Sequence, residues 1–470
     1  MRRKPYGIVE SYRTNTSPGR RIGLLLGVGF FLLAAVLTKH HVVSWNDESR
    51  MATIDALAAH HTFAIDNERV FATGDKYRYA GKFYSDKPPI LAIGGAAIAF
   101  VLEHAGISAE RRPELAYYLI TLLLVGTSYA AGLMALYETL RILCKTAIWP
   151  LCVTIVAGTS TFLLPYSTIL NNHVVSGALL AIGFRLLIDP HFSRKTIVAG
   201  AAAFALAACI DISFVIFVLL EPLLLARHGL RRTILPFAAA TLPFLVIYFA
   251  FNVLLSGSLL PPALNVPLWN YPGSAFNSNN LTGLAGARPL TEHLRYALDL
   301  ITGNHGLFSY MPILLVGVYG FVCGWFKAPQ HRLQLAFIAI GCSMYLALYA
   351  WSSNDYSGFS YGIRWYAGIV YLAMIPLAFL EDAIAGSLPM RVLFIAATFF
   401  SAIVAVVGLA DPATPNNIGV APFLSNVQRA FEGQHHVKGA LYALYVLLTV
   451  VIVANLLSRL PSTSRLRKMT

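Results

Sequence analysis

A helical protein that crosses a membrane about twelve times is the fold class this sequence predicts, all-α and polytopic, on three observations. Only 12% of its 470 residues are charged, whereas a soluble chain carries about a quarter. Hydrophobic residues make up 57% and fall in long runs rather than in amphipathic periods. The Arg and Lys residues cluster in the short turns between those runs and in the two tails, as the positive-inside rule requires. The net charge of +13 therefore reports topology, and nucleic acid is not an expected partner.

A span needs roughly 20 mainly apolar residues to cross about 30 Å of hydrocarbon. The clear runs are Ile22–Thr38, Glu114–Glu138, Ala147–Pro165, Val174–Leu187, Ile234–Leu255, Leu307–Phe326, Gln334–Trp351, Trp365–Leu380, Val392–Leu409 and Gly439–Leu457. The first follows a basic tail, and the next residues, KHHVVSW, hold no small-residue cleavage site, so it reads as a retained span. Ile90–Leu102 is too short to cross, and Thr196–Ala226 is too long for one upright span and contains Asp211. Laying the first along the outer surface, and folding the second into a hairpin with Asp211 at its outer tip, puts five charge clusters on the side of the basic N-tail (Arg2, Arg3, Lys4). These are Arg141/Lys145, Arg194/Lys195, Arg227/Arg231/Arg232, Lys327/Arg332 and Arg391, joined by the C-tail Arg465, Arg467 and Lys468. Both termini are then cytoplasmic in one integral membrane domain, residues 1–470. The long polar loops, 40–113, 256–305 and 411–436, lie outside. Arg185 and Glu221, charged residues within the apolar runs, sit toward inner ends where snorkelling suffices. The five cysteines lie in or beside apolar runs without CxxC spacing, so no disulfide framework is expected.

The first outer loop carries most of the candidate chemistry. Trp45-Asn46-Asp47-Glu48-Ser49-Arg50 leads into Met51–Ala58, where apolar spacing predicts a short amphipathic helix along the membrane surface. Asn46 or Asp47 would cap it. Tyr84-Ser85-Asp86-Lys87-Pro88-Pro89-Ile90 follows, its prolines stiffening the chain beside an ammonium. Lys87 there meets either a lipid phosphate or ordinary headgroups.

In order and spacing these two motifs resemble the C-type (GT-C) polyprenyl-phosphate-dependent glycosyltransferases. The nearest pattern is that of the lipid A aminoarabinose transferases and protein O-mannosyltransferases, approximately DExRYAE and then YFEKPPL. Three further stretches are similar to that family. They are Asn304-His305-Gly306-Leu307-Phe308-Ser309-Tyr310-Met311-Pro312, Gly358-Phe359-Ser360-Tyr361-Gly362-Ile363-Arg364-Trp365, and Ala207–Ser213 with Asp211. The turn Leu170-Asn171-Asn172-His173 departs from the aminoarabinose transferases, which carry an acidic residue there. The resemblance implies an inverting transferase that moves a sugar from a polyprenyl-phosphate donor to a lipid, glycan or protein acceptor on the extracytoplasmic face. It implies Asp47 as the catalytic base, Lys87 on the carrier phosphate and Asp86 lining the site; Glu48, beside Asp47, is the second candidate catalytic carboxylate.

Chemistry gives the same residues work. An attacking hydroxyl or amine loses its proton to a placed carboxylate, and a departing phosphate is stabilised by fixed cations. Arg364 is a bidentate phosphate partner or an interfacial anchor. Arg50, Asn172, His173, Asp211 and Tyr361 complete the candidate substrate-binding set, His173 being either a sugar or acceptor contact or an interfacial His satisfied by its Asn neighbours. No cofactor is required and no closed metal site is spaced in the chain, although Asp47, Glu48 and His173 offer three ligands for a divalent cation. Two other readings stand beside the enzyme. One is a transporter or flippase of a lipid-linked sugar, which would place ionisable groups near mid-membrane. The other is a non-catalytic envelope-assembly protein.

Overall fold

The computed structural model describes residues 17–461 apart from 67–69, 190–191, 278–279, 282–287, 354, 416–419 and 432–435. The charges expected at Arg2, Arg3, Lys4, Arg465, Arg467 and Lys468 lie outside the described residues, as do parts of the second and third outer loops. In order, the chain forms α1 (Ser17–Leu37), α2 (Trp45–His60), the strands β1 (Lys76–Tyr79) and β2 (Lys82–Ser85), then α3 (Pro89–His104) and α4 (Pro113–Leu143). Next come α5 (Ile148–Thr159), α6 (Asn172–Leu187), α7 (Arg194–Ile210), α8 (Ile212–Leu225) and α9 (Leu230–Ser256). The rest is α10 (Leu290–Thr302), α11 (Ile313–Lys327), α12 (Arg332–Ser352), α13 (Arg364–Gly386), α14 (Leu388–Val407), α15 (Pro422–Phe431) and α16 (His436–Ser458).

Seven of these helices are long and apolar enough to cross a membrane, or eight if the bent pair ending in α11 counts as one span. The chain is an integral membrane protein. Every predicted run is helical, yet α5, α6 and α8 are shorter apolar helices, so the expected twelve exceeds the number that length alone supports. The long run breaks where its charge falls: α7 ends at Ile210 and Asp211 takes an extended backbone before α8. The short apolar segment is α3, entered through Pro88-Pro89, because proline at the first helical positions gives up no needed N–H.

Three expectations need correction. The chain is not purely α-helical, since the first outer loop holds an antiparallel hairpin pairing Tyr77 with Tyr84. Its two-residue turn, Ala80-Gly81, has both φ values positive, the geometry that matches strand twist. Helix α2 is not an exposed surface helix, because Met51, Ala52, Ile54 and Ala56 are fully buried. Glu221 does not snorkel: it is 0% exposed, and among the described residues neither carboxyl oxygen finds a hydrogen-bond partner. Arg185 does reach a partner, Asp189 at 2.7 Å one turn on. All five cysteines are free.

One helix crossing positions the site. A Cβ on Gly177 of α6 would lie 2.3 Å from the carbonyl oxygen of Gly368 in α13, so the two backbones touch here because residue 177 is glycine. His173 is one turn before Gly177, and Arg364 one turn before Gly368. The contact therefore brings two residues nearly two hundred positions apart to the same end of the bundle.

A candidate active site between the first loop and the start of α13

Asp47 is held as a structural corner. Ser44 caps α2, and its N–H (2.8 Å) and Oγ (2.6 Å) both donate to Asp47 Oδ1. Asp47 Oδ2 accepts from the Val43 N–H at 2.8 Å and from the Tyr117 hydroxyl at 2.9 Å. Tyr117 in turn accepts from the Leu170 N–H at 3.2 Å, tying α2 to α4 and to the turn before α6. A carboxylate offers about four acceptor positions, so Asp47 is fully occupied. Burial pushes its pKa up, while the bonds from Ser44, Val43 and Tyr117 pull it down. The capping expectation is met one residue away, with Ser44 as cap and Asp47 as its reciprocal acceptor.

Glu48 is different. It is half-buried, and its carboxyl is pushed up to about 7 by burial first and then by the negative charges of Asp47 and Asp75. A carboxyl that titrates near neutrality, with its oxygens not locked into a cap, has the properties of a general base.

Asp75, which no motif marks, completes an acidic cluster. Lys87 Nζ lies 3.0 Å from Asp75 Oδ2 and 2.7 Å from Asp86 Oδ2. Ser49 Oγ donates to the Asp75 carbonyl at 2.6 Å and lies 2.6 Å from Ser85 Oγ, which fastens α2 to the hairpin. Burial raises the Asp86 pKa and the neighbouring ammonium opposes it, while Asp86 Oδ1 is buried without a partner. Lys87 and Asp86 also line a cavity of about 130 Å³ whose other wall is mostly apolar, with Ile212 of α8 and Tyr248, Phe251, Asn252 and Leu255 of α9.

A basic half faces this acidic one. Arg50 donates to the Asn46 carbonyl at 2.7 Å, to the Asn46 side chain and to Asn172 Oδ1 at the start of α6. Burial and the nearby charge of Arg364 pull the Arg50 guanidinium down to about 10. His173 Nδ1 is 2.7 Å from Asp211 Oδ2, so its partner is Asp211 and not the adjoining asparagines. Asp211 Oδ1 also accepts from Ser213 Oγ, which receives the Tyr349 hydroxyl at 3.1 Å. The Tyr349 ring stacks on Trp365 at 4.1 Å, next to Arg364. Arg364 Nε is buried and has no hydrogen-bond partner among the described residues.

Nine of the ten sequence-predicted residues thus belong to one connected region. Tyr361 stands apart: it is fully buried, donates to the Val404 carbonyl at 2.7 Å and packs against Tyr310 at 5.0 Å. Among the described residues no group of three His, Cys, Asp or Glu side chains is arranged to hold a metal ion. His173 turns to Asp211 rather than joining Asp47 and Glu48. Tyr117 was hidden from sequence reasoning inside an apolar run, and Asp75 sat in a loop without a motif.

Compared with solved structures, the chain is similar to ArnT from Cupriavidus metallidurans. The form bound to undecaprenyl phosphate matches at 13% identity and a TM-score of 0.47, over 94% of this chain and 78% of that one. The apo form matches at 12% and 0.46, over 94% and 77%. An apo oligosaccharyltransferase from Archaeoglobus fulgidus matches at 14% and 0.48, over 90% of this chain and 59% of that one. No protein-family model and no curated protein sequence matches the chain.

Proposed function

We propose that the chain is a GT-C-type inverting glycosyltransferase, with about twelve spans and both termini cytoplasmic, that takes a sugar from a polyprenyl-phosphate donor at the extracytoplasmic face. One observation carries the reading. Carboxylates and cations from residues 47–87, 172–211 and 364 come together, and two of them, Asp86 and Lys87, line a cavity whose opposite wall on α8 and α9 is mostly apolar. A lipid-linked sugar phosphate needs both walls. Its phosphate needs cations, and its prenyl chain needs apolar surface open to the bilayer.

In the reaction, the acceptor O–H or N–H loses its proton to Glu48 as its lone pair attacks the anomeric carbon. The carbon–oxygen bond to phosphate breaks on the opposite face, which inverts the centre. The electron pair departs with the carrier phosphate, where Arg364 and Arg50 stabilise the added charge. Asp47 holds the start of α2 so that Glu48 and Arg50 keep their places.

Incubating the purified protein in lipid nanodiscs with a panel of polyprenyl-phosphate sugars and candidate acceptors, and measuring release of carrier phosphate, tests the proposal. Release abolished by Glu48→Gln supports it. No release across the panel, with authentic acceptors present, removes it. A transporter is the second reading, favoured by Glu221, a buried intramembrane carboxyl with no partner among the described residues. Sugar-lipid translocation into vesicles that Glu221→Gln abolishes and Glu48→Gln spares would select it.

A further inference from the structure

The structure assigns α10 a partner, the bilayer surface on the side of the candidate site. The segment Leu290–Tyr310 meets the apolar helix Ile313–Lys327 at 93°. With α11 crossing the membrane, α10 lies in the membrane plane. Its apolar arc is shared between two surfaces. Tyr296 and Leu300 are buried against the protein, while Leu290, Leu294 and Leu298, one turn apart, are 65%, 56% and 63% exposed. Thr291, Glu292 and Arg295 form a separate polar arc in solvent. This is the pattern of a helix whose outer flank sinks into the headgroup boundary. Trp351, at the end of α12, is 66% exposed and stacks on His293 of α10 at 4.6 Å, an aromatic at the level where membrane proteins place them. A protein partner would have to cover this stripe at the same depth as the lipid-facing spans, so lipid is the occupant the geometry favours.

The contact reaches the site. Arg288 donates to the Ser353 carbonyl at 3.0 Å, the Tyr296 hydroxyl donates to the Asp355 carbonyl, and the Tyr356 hydroxyl donates to Asp299 at 3.0 Å. The same loop then supplies Ser357 Oγ, which accepts from the Arg364 N–H at 3.1 Å. Lipid under α10 therefore holds the loop from which Arg364 enters the site. The membrane contact stands without the transferase reading; only its consequence for activity rests on it.

Spin labels placed singly at positions 292, 294, 295 and 298, in a Cys342→Ser background in vesicles of phosphatidylethanolamine and phosphatidylglycerol, read the contact directly. Labels at 294 and 298 should be relaxed chiefly by oxygen, and those at 292 and 295 by a water-soluble nickel chelate. Relaxation of all four by the nickel chelate would overturn the proposal, and so would labels at 294 and 298 that neither reagent reaches, the sign of a protein partner. A label in place of Phe359, which is 59% exposed in the same loop, reads the coupling. Its spectrum should sharpen in the L294E/L298E protein, and an unchanged spectrum would remove the link to Arg364.

Discussion

The two halves of the candidate site differ in charge. Toward the first loop stand four carboxylates, Asp47, Glu48, Asp75 and Asp86, around one ammonium that Asp75 and Asp86 already contact. Toward α13 stand two guanidiniums, Arg50 and Arg364, where burial and then the charge of Arg364 depress the Arg50 pKa, and Arg364 Nε has no partner among the described residues. Like charges held together in a partly dry site are costly, and in the proposed glycosyl transfer each half is relieved by a different part of the reaction. A proton relieves the first, and a phosphate relieves the second. In the proposed reaction this separation divides proton acceptance from leaving-group stabilisation, and each side can be broken on its own.

The largest effect is expected on the acidic side. Glu48→Gln should lower kcat by about 100- to 10,000-fold, the usual contribution of a general base. Its pH profile should also lose the limb that, in the unaltered protein, falls as the pH drops through about 7 and the carboxyl takes up its proton. The same raised pKa acts on stability with a defined sign. Because the folded state holds the proton more tightly than the unfolded chain, this group opposes folding increasingly as pH rises from 4.5 toward 7. Glu48→Gln should therefore keep or raise the melting temperature at neutral pH. Asp47→Asn should lower it, since an amide cannot accept from Val43, Ser44 and Tyr117 together. Equal melting temperatures with equal losses of rate would mean that Asp47 and Glu48 do not divide base and anchor in this way.

On the basic side, Arg364→Gln should cost about 100- to 1,000-fold in kcat, the scale for loss of one fixed donor to a developing anion. Arg364→Lys should recover only part of it, because an ammonium lacks the planar fork. An Arg364→Gln protein with kcat unchanged and only KM raised would place Arg364 on the ground-state phosphate rather than on the departing one.

How the halves come together tests what a sequence can show. The apolar runs, the break at Asp211 and the chemistry-bearing motifs were all legible, because length, charge and proline placement act locally. Three features were not. Asp75 becomes a site residue only because Ser49 and Ser85 dock α2 on the hairpin. Tyr117 is one aromatic in an apolar run until folding points it at Asp47. Tyr361 lies inside the motif that delivers Arg364, yet its ring serves the core, because a motif conveys spacing and not which way a side chain turns. The closest join, Gly177 on Gly368, leaves no periodic trace. Gly177→Ala would force a methyl against the Gly368 carbonyl, costing about 1–3 kcal/mol in overpacking. The shift between His173 and Arg364 should cost transfer up to about 100-fold, with a lowered melting temperature. A variant that melts lower but transfers normally would show that this crossing does not set the site.

The smallest effect is expected where the two halves compete for one cation. Lys87 sits between Asp75 and Asp86, and for its ammonium to serve a carrier phosphate it must loosen from at least one of them. Asp75→Asn removes one competitor without removing the cation. It also removes a negative charge that raises the Glu48 pKa, so two readouts move together. With Lys87 as a phosphate ligand, Asp75→Asn should lower the donor KM by up to about fivefold, one part-exposed charge pair being worth up to about 1 kcal/mol. The ascending limb of the pH profile should shift to lower pH at the same time. With Lys87 serving only to hold the hairpin against α3, the pH shift remains and the donor KM stays fixed. Lys87→Ala then separates the two outcomes: a raised KM marks a ligand, and a lowered melting temperature with KM unchanged marks a strut.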